Sequence, residues 1–235
     1  MPFNSYDELV TSLDNWLGQR VELQPIYPDF VLMAEQRMYR DLRVREMIRR
    51  AKALLNDTWE WLPWDFIKMR RVTAYPGQTG DTAYRPVRLT GMSPGQLEAS
   101  YNATTTYTLP EAYTIEGLQI RFGPPLTPQE VPEGVLDPSP YRNFECIYYA
   151  RFAHLNQADK NTGVVPTTNQ ILQAYPELYL YASLIEAEPY LVDDQRLMVW
   201  KGLYDDALNR ANLMSEYDTM SALAVGVSDG GQYMP

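Results

Sequence analysis

Apolar side chains recur at three- and four-residue spacing near both ends of this chain, and fall into short alternating runs between them. Near the start, Leu9, Leu13, Trp16 and Leu17 form one helical stripe. Ser5 and Glu8 stand three apart in front of it, the spacing of a capping box in which Glu8 reaches back to the Ser5 N–H. Gly18 is a natural stop. A second helix is predicted from Pro28-Asp29 to Arg43, with Phe30, Met33, Ala34, Met38 and Leu42 as its apolar stripe and Arg37 and Arg40 beside it. The short connection with Pro25 and Pro28 predicts that the two helices are antiparallel.

Between Met47 and Phe152 the periodicity changes. Seven β-like pieces are separated by proline and glycine: Met47–Leu55, Phe66–Ala74, Pro86–Leu89, Tyr107–Leu109, Tyr113–Ile115, Leu118–Phe122 and Phe144–Phe152. The last alternates Phe144, Cys146, Tyr148, Ala150 and Phe152 against Glu145, Ile147, Tyr149 and Arg151, the pattern of a strand with one better-buried face. Glu116-Gly117 reads as a two-residue hairpin turn. Ser93 to Leu97 reads as one helical turn. The loops Pro76–Thr82 and Gly123–Pro140 are candidates for contacts with neighbours.

Helical spacing returns after Asn156. Thr168 or Asn169 caps a short helix, and Tyr175 to Leu191 holds a helix with almost no polar side. Such a helix is covered on several sides. Pro176 suits its first turn and Pro189 its end. Asp193 or Asp194 then caps a long helix with a seam of Leu197, Trp200, Tyr204, Ala207, Ala211 and Met214. The expected fold class is α+β: a helical bundle from residues 1–46 and 153–217, a β-rich insertion at 47–152, and a glycine-rich tail at 218–235. The tail is expected to be disordered in a free monomer.

Charge adds a polarity to this plan. The net formal charge is −10, which opposes sequence-independent binding to phosphates. From Arg37 to Arg71 ten Lys/Arg face five acids, whereas from Glu177 to Asp218 nine acids face three bases. Such a chain can meet its own copies head to tail. Arg37, Arg40, Arg43 and Arg45 are the candidate intersubunit residues on the basic side. The single cysteine, Cys146, allows no internal disulfide. With neither a signal peptide nor an apolar run long enough to span a bilayer, the sequence reads as a soluble protein made in the cytosol.

The residues offer little to an enzyme reading. His154 is the only histidine, and neither nucleophile, phosphate-binding nor zinc motifs are present. The expectation is no catalytic residue, no cofactor and no metal. Nothing favours a carboxylate pair such as Glu111 with Glu145 for glycoside hydrolysis. The 18 Tyr, 5 Trp and 6 Phe, with Trp59, Trp61 and Trp64 close together, suit a core and protein interfaces. They also motivate the alternative of a carbohydrate-binding or hydrolysing protein, although core and interface explain them more cheaply.

Several stretches together resemble the head-to-tail adaptor proteins of short-tailed bacteriophages: SYDELVTSLDNWLG, YPDFVLMAEQRMYRDLRVREM, WEWLPWDFIKMRRV, YTIEGLQIRFGPP, ECIYYARFAHL and AYPELYLYASLIEAEPYLVDDQRLMVWKGLYDDAL, in co-linear order from about Ser5 to Asn209. LPWDF, YPELYLYASL and PYLVDD are the most specific in combination. The resemblance implies a virion structural protein of the neck, assembled in the host cytoplasm. It implies a homo-oligomeric ring, a dodecamer, that joins portal protein to tail nozzle and lets double-stranded DNA through without specific binding. It implies no membrane. On that reading the portal-contact candidates are Trp200, Tyr204, Met214, Tyr217 and Tyr233, on an arm ordered by binding.

Overall fold

The computed structural model describes residues 3–77, 85–101, 109–127, 141–158, 163–191 and 196–224, with side chains described up to Glu216. In chain order these hold α1 (Tyr6–Trp16), α2 (Tyr27–Asp41), β1 (Ile48–Leu54), β2 (Trp59–Trp61), β3 (Phe66–Tyr75), β4 (Val87–Arg88) and β5 (Thr90–Gly91). There follow α3 (Pro94–Ser100), β6 (Ala112–Glu116), β7 (Gln119–Gly123), β8 (Asn143–Ala150), α4 (Gln170–Ala174), α5 (Pro176–Glu186) and α6 (Leu197–Ala224). The fold is α+β. The chain divides into two compact units, one of residues 1–47 and 151–235 and one of residues 48–150.

In the first unit α5 packs against α1, α2, α4 and α6. Leu178, Tyr179, Leu180, Ala182, Ser183 and Leu184 are all buried, as its apolar circumference requires. Pro176 opens the helix, and it ends at Glu186 before a 3-10 turn over Glu188–Tyr190 that contains Pro189. Burying each such Leu contributes roughly 1.5–3 kcal/mol, so the helix is held by what surrounds it.

α1 is capped by Ser5 Oγ, which accepts from the Glu8 N–H at 3.4 Å. The return bond differs from the expected box: Glu8 accepts from the Asn4 N–H at 2.7 Å, one residue earlier. Leu9, Leu13 and Leu17 are buried, while Trp16 stays 41% exposed and meets Tyr181 edge to face at 6.2 Å between ring centres. Gly18 follows with φ +77°, the left-handed conformation a helix stop uses.

The seam of α6 also departs from expectation at its far end. Trp200, Tyr204, Ala207, Ala211 and Ser215 are buried, whereas Met214 is 66% exposed. An unstrained helix turns 3.6 residues per turn, so after three turns a strict seven-residue repeat drifts off the contact line and Ser215 takes the place. α6 runs on to Ala224, past Tyr217, because Ser-Ala-Leu-Ala still favours helix before the glycines begin. The Asp193/Asp194 cap, most of the loops 76–82 and 123–140, the end of the tail, and the Tyr107 strand except Leu109 lie outside the described residues.

The second unit is two four-stranded sheets, ordered β1-β8-β3-β4 and β2-β7-β6-β5. Leu55, Val72, Ile120, Phe122, Phe144, Cys146 and Tyr148 share its core. β8 is central and antiparallel to both β1 and β3, and its predicted alternation is visible as Phe144, Cys146, Tyr148 and Ala150 turned into that core. The β6–β7 hairpin pairs Glu116 with Gln119, so its turn is Gly117-Leu118 and not Glu116-Gly117. Gly117 has φ +64°; a left-handed first turn residue selects glycine there and shifts the turn by one. α3 carries the capping box that α1 lacks, between Ser93 and Gln96.

Candidate interaction surfaces and the polar core

Of the intersubunit candidates on and after α2, each has a local partner or position. Arg37 binds Glu186 at the end of α5, with Nη2 2.6 Å and Nε 2.7 Å from the same carboxylate oxygen. Arg43 donates from Nη1 to the carbonyls of Tyr39, at 2.9 Å, and Leu42, a cation at the C-terminus of α2, where the helix dipole favours it. Arg45 lies 3.3 Å from Glu46. Arg40 is exposed.

The portal-contact candidates separate in the same way. Trp200 and Tyr204 are 1% and 2% exposed, enclosed by the chain's own first unit. The Tyr204 hydroxyl donates to Asp41 at 3.3 Å. Two turns on, Asn212 accepts from the Arg43 N–H at 2.8 Å and donates to the Asp41 carbonyl, so α6 satisfies the open end of α2. Met214 is on the surface, and Leu213, Met198 and Val199 are exposed on the same helix. The side chain of Tyr217 and all of Tyr233 lie outside the described residues.

A polar cluster that the sequence reading did not find sits inside the first unit. Glu35, fully buried on α2, accepts from the Leu155 N–H at 2.9 Å and from the Tyr179 hydroxyl at 3.1 Å, and its second oxygen is 2.5 Å from His154 Nδ1. Asn169, the N-cap of α4, donates to the Ala153 carbonyl at 2.8 Å and to the Tyr179 oxygen at 2.6 Å. The Tyr39 hydroxyl donates to the Phe152 carbonyl at 2.7 Å. Burial beside the Glu35 charge holds the Tyr39 and Tyr179 phenols far above the usual range. The cluster fastens residues 152–155 to α2, α4 and α5. One signal for it was legible: Val31, Glu35, Met38 and Leu42 fall on one helical face, and a carboxylate in an apolar stripe needs a partner.

In the second unit the aromatics form a patch on an edge strand. Trp59 and Trp61 stand opposite Arg121 and Gln119 on the same side of β2 and β7. Trp61 and Trp64 are 70% and 64% exposed, with Leu118 at the neighbouring hairpin tip. The Arg121 guanidinium lies over the Trp59 ring at 5.1 Å and is 3.1 Å from Glu98.

Buried polar groups thus serve the chain's own packing, while its surface offers aromatic, aliphatic and charged faces for contact. Those faces are candidates for contact with other proteins. The family model described as "SU10 adaptor protein" matches residues 4–226, and the chain belongs to this family. Membership bears out the resemblance to phage head-to-tail adaptors and implies a structural role with a place in the virion neck. A search of curated proteins finds no match. No helix among the described residues is long and apolar enough to cross a membrane.

Proposed function

We propose that this protein is a ring-forming head-to-tail adaptor that joins the portal to the tail nozzle and extends the DNA channel. Twelve copies are the expected ring, assembled in the host cytoplasm, with double-stranded DNA passing unbound and no catalysis. The observation that carries this reading is the family match over residues 4–226. α6 supports it: 28 residues reach about 42 Å, it packs on α5, and it carries Met198, Val199, Leu213 and Met214 exposed. Exposed methionine and leucine on a long helix suit docking to a partner protein. Met214, with Tyr217 and Tyr233 beyond it, is therefore the portal-facing candidate, and Trp200 and Tyr204 hold the arm to its base. Arg40 is the better placed intersubunit candidate, since it is exposed while Arg37, Arg43 and Arg45 are engaged within the unit.

Sedimentation of the protein with and without purified portal tests the reading. Rings on portal are expected, and a stable monomer that ignores portal defeats it. Deletion after Tyr217 is expected to keep the fold and lose attachment. A second reading, glycan binding by a tail component, draws on exposed Trp61 and Trp64; glycan affinity without portal affinity would favour it.

A further inference from the structure

The outer face of the β1-β8-β3-β4 sheet concentrates positive charge in a chain of net −10. In register, Arg50, Ile147 and Arg71 make one row across three strands, and Lys52, Glu145, Thr73 and Arg88 make the next. Lys68 stands opposite Tyr149. A register shift between Met69 and Arg71 leaves Arg70 as an extra residue, and its guanidinium lies over the Tyr149 ring at 5.4 Å. Such irregularities re-aim side chains; this one makes Arg70 and Arg71 both exposed.

Arg50, Lys52, Lys68, Arg70, Arg71 and Arg88 are all exposed, and one carboxylate, Glu145, serves the first two at 3.6 and 4.0 Å. Among the described residues the other four have no carboxylate in salt-bridge reach. Like charges gathered on a sheet repel and destabilise it, so this face gains from an anionic partner. The opposite faces of these strands line the core, which leaves this side available for docking.

We propose that this face is the basic half of a head-to-tail interface that receives the acidic helical unit of a second copy of the chain. The proposal rests on the ring reading above. Residues 1–47 and 151–235 carry ten Lys/Arg against nineteen Asp/Glu, while residues 48–150 carry ten against eleven. The molecule is thus its own polyanion, at equal stoichiometry. Four arginines, Tyr149, Ile147 and Tyr75, whose ring lies 5.6 Å from Lys52 Nζ, suit a protein interface, where arginine and tyrosine are enriched. Duplex DNA is the lesser fit, because the phosphates would also meet the remaining negative charge. Since the two surfaces differ, the contact is heterologous and generates a closed ring or a filament.

Carbodiimide cross-linking of the full chain tests this on the wild type. It joins lysine to carboxylate directly, and a mixture of light and heavy-isotope protein marks links between copies. Free protein at high concentration and protein assembled on portal are both treated. Lys52 or Lys68 is expected to link to acids of residues 1–47 or 151–216 in another copy. Absence of such inter-copy links under both conditions overturns the proposal. The paired variant Arg70→Glu/Arg71→Glu is expected to weaken assembly at least about tenfold and flatten its salt dependence, while Arg70→Lys/Arg71→Lys keeps most of it. Unchanged assembly by the reversed variant also overturns it, as does a loss confined to duplex DNA binding. Portal binding is read in parallel. Rings that form on portal without these links refute the interface and leave the adaptor reading standing. Wild-type protein that neither binds portal nor forms rings refutes both.

Discussion

Glu35 and Tyr179 meet inside the first unit with neither exposed to solvent, the phenol donating to the carboxylate at 3.1 Å. The same phenol oxygen accepts from Asn169, so one hydroxyl joins α2, α5 and the cap of α4. Tyr179→Phe removes the donor and leaves two groups short of a partner, at an expected cost of about 1–3 kcal/mol. Glu35→Ala strands the Leu155 N–H, His154 and Tyr179 together and is expected to cost about 3–5 kcal/mol. Urea midpoints at constant m-value measure both. Loss of less than half a kcal/mol from Glu35→Ala would show that the cluster carries no stability.

Arg37 and Glu186 tie α2 to the end of α5, half shielded from water. Arg37→Glu is expected to destabilise the free protein by about 1–2 kcal/mol, and the swap Arg37→Glu/Glu186→Arg to recover most of that. A double mutant no better than the single would place the main role of Arg37 outside the protomer.

The seam of α6 gives a paired comparison. Ala211 is 2% exposed and Met214 66%. Ala211→Leu is expected to overpack its buried position and cost about 1–3 kcal/mol. Met214→Ser should leave the melting temperature within a degree or two and weaken portal attachment. Equal thermal effects would refute the register described for α6.

Alkaline pH should unfold the protein through its tyrosines. Burial raises the phenols of Tyr39, Tyr148, Tyr179 and Tyr204, with nearby carboxylates adding to it. Burial likewise pushes Tyr27, which donates to Asp14, up to about 12. A folded value above the unfolded one means the stabilisation is complete below the unfolded pKa and is lost as pH climbs past it. The melting temperature is therefore expected to fall steeply above about pH 10. Ultraviolet titration should show a class of tyrosines that ionise only as the fold is lost. Titration of every tyrosine near its ordinary value in folded protein would contradict the burial.

Cys146 is 2% exposed and its thiol is pushed up to about 11, chiefly by burial. It should resist a thiol reagent at pH 8 until denaturant is added, since the thiolate is the reactive form. Rapid modification of native protein would show that β8 opens.

The helices were legible in sequence because each carries its own evidence: the Ser5 cap, the Gly18 stop, and Pro176 at the head of an all-apolar run. The alternation of β8 announced a central strand for the same reason. Partners distant in sequence were not legible. Glu35 betrays itself as a charge on an apolar face, yet nothing near it names His154, 119 residues on, or Tyr179, 144 residues on. The basic sheet face was hidden differently. Its cations come from three strands, and only the register brings Arg50, Arg71 and Arg88 to one side. Trp16 and Met214 kept a helical spacing and still missed the contact line, because a stripe predicts a face and the neighbour's shape decides its width.

The strand that begins the second unit and the strand that ends it are hydrogen-bonded neighbours, with Ile48 opposite Tyr149. Facing residues of an antiparallel pair stand about 5 Å apart, so the chain leaves and rejoins residues 1–47 and 151–235 through a single narrow doorway. A doorway of that width can be closed by a tight turn. The β unit is therefore a cassette: lineages could lengthen, replace or discard it while the helical path on either side stays the same, and an engineer could graft another domain between Met47 and Arg151.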